Sequence, residues 1–256
     1  MRERPIQYYL AKLEEYRSED LHLSKPAMAN ELGIPFGTYR NWYRETETRT
    51  NPSSKYHKWI KRFLEARHII SANRWIEQDG PDLLHRIGVS RGQTVMDFGS
   101  GNGDYSLILR QVVGQEGKVY AIDKNKDVLA ELMGRAYGEG FGNIEGIVAE
   151  GGETPTTIAV PDESIDAGWF SDVLHDGYFE EDEQKQELLR DVRRALKKHG
   201  FLAVHPVHME KERLKRVIKG AGFHLEEEYQ EVLLFHGSEF HEGQIFKYKK
   251  DRKYDT

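Results

Sequence analysis

The chain has 256 residues and carries 37 Lys and Arg against 43 Asp and Glu, a net charge of −6. That length suits one large domain, or a domain of about 190 residues with a small companion, and 4 Trp, 13 Tyr and 11 Phe supply enough aromatic surface to exclude wholesale disorder. The absence of cysteine excludes disulfides, thiolate nucleophiles and Cys-ligated metals; no apolar run nears the roughly 20 residues of a bilayer span and no apolar signal region follows Met1, so a soluble, cytoplasmic protein is expected.

The charge is uneven. Residues 1–66 hold 12 Lys and Arg against 9 Asp and Glu, while residues 67–256 hold 25 against 34. This predicts a small all-helical domain over 1–66 and a larger domain over 67–256. Within the first part, Ala29, Leu32, Gly33, Ile34, Tyr39 and Trp42 have the spacing of two helices crossing at a glycine turn. The segment resembles the helix-turn-helix of phage repressors. Lys55–Leu64 predicts a further helix with Tyr56, Trp59, Ile60 and Phe63 on its apolar face. In a DNA-binding reading, Thr38, Arg40, Asn41 and Arg44 point outward from the second helix and Lys55, Lys58, Lys61 and Arg62 meet phosphates. DNA is thus a possible partner through residues 24–62. The alternative is a packing domain that covers a pocket or forms an oligomer.

From residue 93 the pattern alternates. Gln93–Phe98, Lys118–Ile122, Ile144–Ala149 and Ile165–Phe170 read as strands, with helices over Asp104–Val113 and Lys126–Tyr137 between the first three. Glu180–Lys198 reads as a long helix with acids in its first turns, bases near its end and Gly200 as its stop. Phe201–Val207 is a strand, Glu210–Ala221 a helix, and Tyr229–Phe235 and Gln244–Lys249 form a closing hairpin. Such alternation predicts an α/β fold, a doubly wound, seven-stranded, mostly parallel sheet. Ligands of such sheets bind beyond the carboxyl ends of the strands, where the strand order reverses.

At the end of the first strand stands Asp97-Phe-Gly99-Ser100-Gly101-Asn-Gly103, a glycine loop that lets the backbone approach a ligand. Asp123 ends the second strand, 20 residues after Gly103. A carboxylate there can accept both ribose hydroxyls of an adenosine. Glu150 ends the third strand and Asp172 follows the fourth.

These residues, with Val119-Tyr-Ala-Ile-Asp123, Pro161-Asp-Glu-Ser-Ile-Asp166 and Leu196-Lys-Lys-His-Gly200, resemble the class I S-adenosylmethionine-dependent methyltransferases over about residues 70–250. The likeness is closest to the branch with small-molecule and quinone-ring C-methyltransferases. It implies a Rossmann-like methyltransferase domain with S-adenosylmethionine as cofactor. Gly99, Ser100, Gly101 and Gly103 would pass under its methionine part, Asp97 would help hold its amino group, Asp123 and Lys124 would bind at the ribose, and Glu150 and Gly151 would lie near the adenine. Ser171 and Asp172 complete the implied cofactor set. The chain has Glu150-Gly-Gly-Glu153 where the family often has an acid and a small apolar residue, so the adenine contact falls on either glutamate.

Methyl transfer from a sulfonium needs alignment and a dry pocket, with a base only where the acceptor must lose a proton. The carboxyl end of the fourth strand, Phe170–Tyr178, would face the methyl group. His175 and Asp176 are the candidates for acid–base or acceptor-orienting work. With His205 and His208 at the end of the fifth strand they would also make a possible metal rim, set against separate solvent-facing histidines; no metal is assigned. The motif of amino-methylating DNA enzymes is missing. The expected function is therefore methyl transfer to a small-molecule acceptor, and the alternative is a DNA-binding regulator whose larger domain senses the cofactor.

Overall fold

A computed structural model describes residues 6–44, 51–66, 74–149, 156–235, 239–251 and 253. The chain divides into two compact units. One comprises residues through Trp75 together with Val232–Glu242, and the other comprises Ile76–Glu231 and Gly243–Thr256. The division falls at Trp75 rather than at residue 66, and the first unit is not purely helical. The physical link is the Trp75 indole, buried and donating to the Val232 carbonyl at 3.1 Å.

In the first unit, α1 spans Ile6–Glu15, α2 Lys25–Glu31, α3 Phe36–Trp42 and α4 Ser54–Ala66. Ser24 caps α2 by accepting from Ala27 N at 3.3 Å. Leu32–Pro35 join α2 to α3, with Gly33 at φ +63° making the turn. Met28, Ala29, Leu32, Tyr39 and Trp42 are buried with Tyr9, Leu10 and Leu13 of α1 and Ile60, Phe63 and Leu64 of α4. Trp59, expected on the apolar face of α4, is 37% exposed. Arg40 and Arg44 are exposed, while Thr38 and Asn41 are half-buried.

The second unit begins with α5 (Gly80–Ile87). Then come β1 (Thr94–Phe98), α6 (Asp104–Val113), β2 (Lys118–Asp123), α7 (Lys126–Gly138), β3 (Ile144–Val148) and β4 (Ile165–Ser171). These match the expected elements to within one residue at each end. They are followed by α8 (Asp182–Ala195), β5 (Leu196–His205), α9 (Lys211–Gly220), β6 (Phe223–Phe235) and β7 (Glu239–Lys250). The seven-stranded sheet runs β3-β2-β1-β4-β5-β7-β6. Pairings from β3 through β5 are parallel, and β7 runs antiparallel to β5. Strand order reverses at β1, between β2 and β4. Leu188, Leu189 and Val192 of α8 and Leu214, Val217 and Ile218 of α9 join Met96, Phe170, Leu202, Val204 and Phe246 in one core. Each such buried side chain contributes about 1.5–3 kcal/mol.

One boundary differs from the pattern reading. Gly200 does not stop α8. The helix ends at Ala195 and Leu196 is already extended, at ψ 136°. Leu196 pairs with Ile165, and the next printed pair is Ala167 with Phe201, so the intervening residues of β5 bulge out of the ladder. A Cβ at Gly200 would stand 3.0 Å from the Ile165 carbonyl oxygen. The glycine is there for close approach of two strands. Among the described residues no helix is long and apolar enough to cross a membrane.

Candidate active site

The carboxyl ends of β1 to β4 open into a cavity of about 440 Å³ that communicates with solvent. Phe98 and Gly99 line it after β1, Asp123 and Lys124 after β2, and Ala149 after β3. Ser171, Asp172 and Val173 line it after β4, with Tyr178 and Phe179 beyond. Phe98 and Phe170 are paired in register and stack with centroids 5.0 Å apart.

The glycine loop is built on the adjoining strand. Gly99 and Ser100 donate their N–H groups to the Ile122 carbonyl at 2.8 and 3.0 Å. Gly99, Gly101 and Gly103 take φ of +74°, +51° and +86°, the left-handed region that favours glycine. A Cβ at Gly99 would meet Val173 Cγ1 at 2.7 Å, and one at Gly103 would meet Leu132 Cδ1 at 2.1 Å. At Gly101 a Cβ would meet nothing within 4 Å. Asp123 closes the loop: Oδ2 accepts from Gly101 N and Oδ1 from Asn125 N, each at 2.9 Å.

Asp97 is buried beneath this loop, and Ser106 Oγ donates to its Oδ2 at 2.6 Å. Burial pushes its acid up to about 7, the charges of Asp123 and Asp104 add to the rise, and the Ser106 bond opposes it. Ser100 Oγ is a buried hydroxyl with no hydrogen-bond partner.

Lys124 reaches over the ring of Tyr178, its Nζ 4.6 Å from the centroid. Burial raises the Tyr178 hydroxyl above its ordinary value, and the charges of Asp123 and Asp172 reinforce this. Tyr178 and Val173 are cavity residues without a sequence signal of their own. Glu150 and Gly151, implied for the adenine end, lie outside the described residues.

On the acceptor side, β4 and β5 end beside each other. Ser171 Oγ lies 3.2 Å from Nδ1 of the buried His205. Asp172 takes φ +54° and donates its N–H to the His205 carbonyl at 2.7 Å. Its Oδ1 accepts from Val207 N and His208 N, both at 3.0 Å, and its Oδ2 faces His208 Nδ1 at 2.6 Å. His175 packs on Tyr178 with centroids 4.6 Å apart and lies 5.6 Å from the His208 ring.

Two expectations change here. Asp176 is bonded to Arg213 at 2.7 Å and to Lys185 at 2.9 Å. The Arg213 guanidinium and then the Lys185 ammonium hold its carboxyl well down, at about 2. An ionised carboxylate already shared by two cations is a poor general base, so the geometry makes Asp176 an anchor. The imidazoles also do not converge: His205 turns to Ser171 and His208 to Asp172. Among the described residues no group of three or more His, Asp or Glu is placed to hold a metal ion.

Comparison with known proteins agrees with this geometry. A matched segment is 34% identical over 120 residues to the ubiquinone/menaquinone biosynthesis C-methyltransferase UbiE of Escherichia fergusonii, covering 46% of this chain and 43% of that protein. Another is 31% identical over 83 residues to a probable cobalt-precorrin-6B C(15)-methyltransferase of Saccharolobus solfataricus, covering 32% of this chain and 41% of the relative. The chain thus spans less than half the length of these curated relatives. A crystal structure of a SAM-dependent methyltransferase from Aquifex aeolicus superposes with TM-score 0.52 at 22% identity, over 68% of this chain and 92% of that one; this likeness concerns the fold. The family model described as a methyltransferase domain matches residues 89–254, well over half of the chain. With the glycine loop, the strand-end carboxylate and the sheet order all in place, the chain belongs to the methyltransferase domain family.

Proposed function

We propose that the protein transfers a methyl group from S-adenosylmethionine to a small-molecule acceptor. The observation that carries this reading is the cavity at the strand-order reversal, where Gly99 and Asp123 line one side and Ser171 and Asp172 the other.

The residues present fit the cofactor. Gly101 faces open space, as a backbone under a ligand must. Ser100 Oγ is buried and unpartnered, a hydroxyl that a ligand would satisfy. Each Asp123 oxygen accepts one printed bond, and a carboxylate oxygen can accept a second, from a ribose hydroxyl. Asp97 is the acid that a cationic amino group would ionise, and Glu150 and Gly151 are proposed for the adenine. When bound, the cofactor supplies an electrophilic methyl on sulfonium. The chain's residues supply binding, alignment and exclusion of water. The printed names of the relatives, quinone and corrin C-methyltransferases, support electron-rich ring compounds as the first acceptors to screen.

Calorimetry tests the reading. S-adenosylmethionine and S-adenosylhomocysteine should both bind, and no binding ends it. Asp123→Ala should weaken both at least tenfold, because a hydrogen bond to a charged group is worth about 1.5–3 kcal/mol.

A second reading, a DNA-binding regulator that senses the cofactor, draws support from the exposure of Arg40 and Arg44 on and just after α3. It requires duplex binding that falls steeply with salt. Alanine at Arg40 and Asn41 should remove that binding and leave cofactor affinity unchanged.

A further inference from the structure

The hydrogen-bond partners of His175 and His208 determine where each ring carries its proton, and the two differ. His175 Nδ1 accepts the N–H of Gly177 at 2.9 Å. A ring nitrogen that accepts holds no proton, so the neutral ring carries it on Nε2. His208 Nδ1 lies 2.6 Å from Asp172 Oδ2. An ionised carboxylate only accepts, so here the proton is on Nδ1 and the basic nitrogen is Nε2. Asp172 holds a left-handed backbone, unusual for a non-glycine residue, and four bonds to the end of β5 and its following turn keep it there. Such over-determined strain concentrates at functional sites. Asp172 and Tyr178 both line the cavity, the His175 ring packs on Tyr178, and the two imidazoles stand 5.6 Å apart at 63°.

We propose that His175 and His208 form a donor–acceptor pair for a methyl acceptor bearing an ionisable hydroxyl, a phenol, hydroquinone or enol. His175 donates Nε2–H to the acceptor's oxygen, and His208 Nε2 takes the hydroxyl proton. Asp172 is a positioning residue that holds the His208 tautomer and stabilises the imidazolium formed. The proposal rests on the methyl-transfer reading above. Across the step the hydroxyl proton moves to His208 Nε2, the acceptor's electron pair forms the new bond to methyl, and the S–CH3 pair stays on sulfur, leaving a neutral thioether. His175, the base expected from sequence, becomes the hydrogen-bond donor.

The test uses the full chain, ¹⁵N-labelled at histidine, with 1,4-naphthoquinol as probe acceptor. Long-range ¹H–¹⁵N spectra at neutral pH should show His175 protonated on Nε2 and His208 on Nδ1. Asp172→Ala should mix the His208 tautomers and leave His175 unchanged. His208→Gln should lower release of S-adenosylhomocysteine about 100-fold, with calorimetric affinity for S-adenosylmethionine within twofold of wild type. His208 protonated on Nε2 in the wild type overturns the proposal. So does His208→Gln activity within threefold of wild type, or background turnover by a wild type that binds the cofactor. A wild type that binds no cofactor defeats the methyl-transfer reading itself, an outcome the calorimetry separates from the others.

Discussion

Lys185 Nζ lies 2.9 Å from Asp176 Oδ1 and 2.9 Å from the Phe179 carbonyl, and the lysine side chain is completely buried. Asp182 stands 3.5 Å away and is shared with Arg213 of α9. A cation buried in α8 thereby ties down the segment that follows β4, where His175 and Tyr178 sit. The acceptor side of the cavity is held by this network.

Replacing Lys185 should separate volume from charge. Lys185→Ala leaves a cavity and orphans the Phe179 carbonyl, and should cost about 2–4 kcal/mol in urea unfolding. Lys185→Met fills the space and removes the solvation cost of a buried charge, so it should stay within about 1.5 kcal/mol of wild type. Equal losses in both variants would show that the charge itself holds the segment.

Two glycines of one loop should fail differently. Gly103→Ala drives a Cβ into Leu132 at φ +86° and should cost about 1–3 kcal/mol of stability. A Leu132→Ala background should relieve the clash and leave the backbone strain. Gly101→Ala meets open space, so its larger effect should fall on cofactor affinity, measured by calorimetry beside the melting curve.

Asp97 links stability to pH. Its acid stands at about 7 in the native state against an ordinary 3.8. Below about pH 4 the group is protonated whether folded or not. From there to about pH 7 the native state keeps a proton that the unfolded chain gives up, so unliganded stability should fall as pH rises through that window. Asp97→Asn should flatten this slope in urea titrations. Cofactor binding at pH 6 should release a proton in the wild type, read as a buffer-dependent binding enthalpy, and should not in the variant.

Gly134 and Gly200 give a contrast in sign. Gly134 is exposed within α7 and an added Cβ would touch nothing. Gly134→Ala should stabilise by about 0.5–1 kcal/mol. Gly200→Ala sets a methyl 3.0 Å from one β4 carbonyl and 3.1 Å from the next, and should destabilise by about 1–3 kcal/mol. Thermal melts of the two variants check both signs.

Much of this was readable from residue order, because helix and strand periods are local. The amphipathic spacing of Leu107, Ile108 and Val112 marked α6, and the glycine cluster after Phe98 marked the turn into it. β6 was less legible. Its first half carries the run Glu226-Glu227-Glu228, which breaks the apolar alternation of a strand. Those acids sit on the sheet opposite Lys211, Lys215 and Lys247, which pair with them. Gly200 was misread because a glycine after a basic helical turn looks the same whether it ends a helix or lets two strands touch. Asp176 was placed in the right segment with the wrong role, since Arg213, 37 residues on, reaches its carboxylate only after α8 and α9 have packed.

The sequence by itself determined the alternating elements, the glycine loop and the carboxylate 20 residues beyond it, because each depends on neighbours along the chain. Only the tertiary structure decided the proton positions on the acceptor side. Asp172 and His208 are separated by 36 residues and meet because β4 and β5 pair in parallel and end together. Which nitrogen of an imidazole is basic depends on the partner of the other nitrogen, and that partner is supplied by the fold.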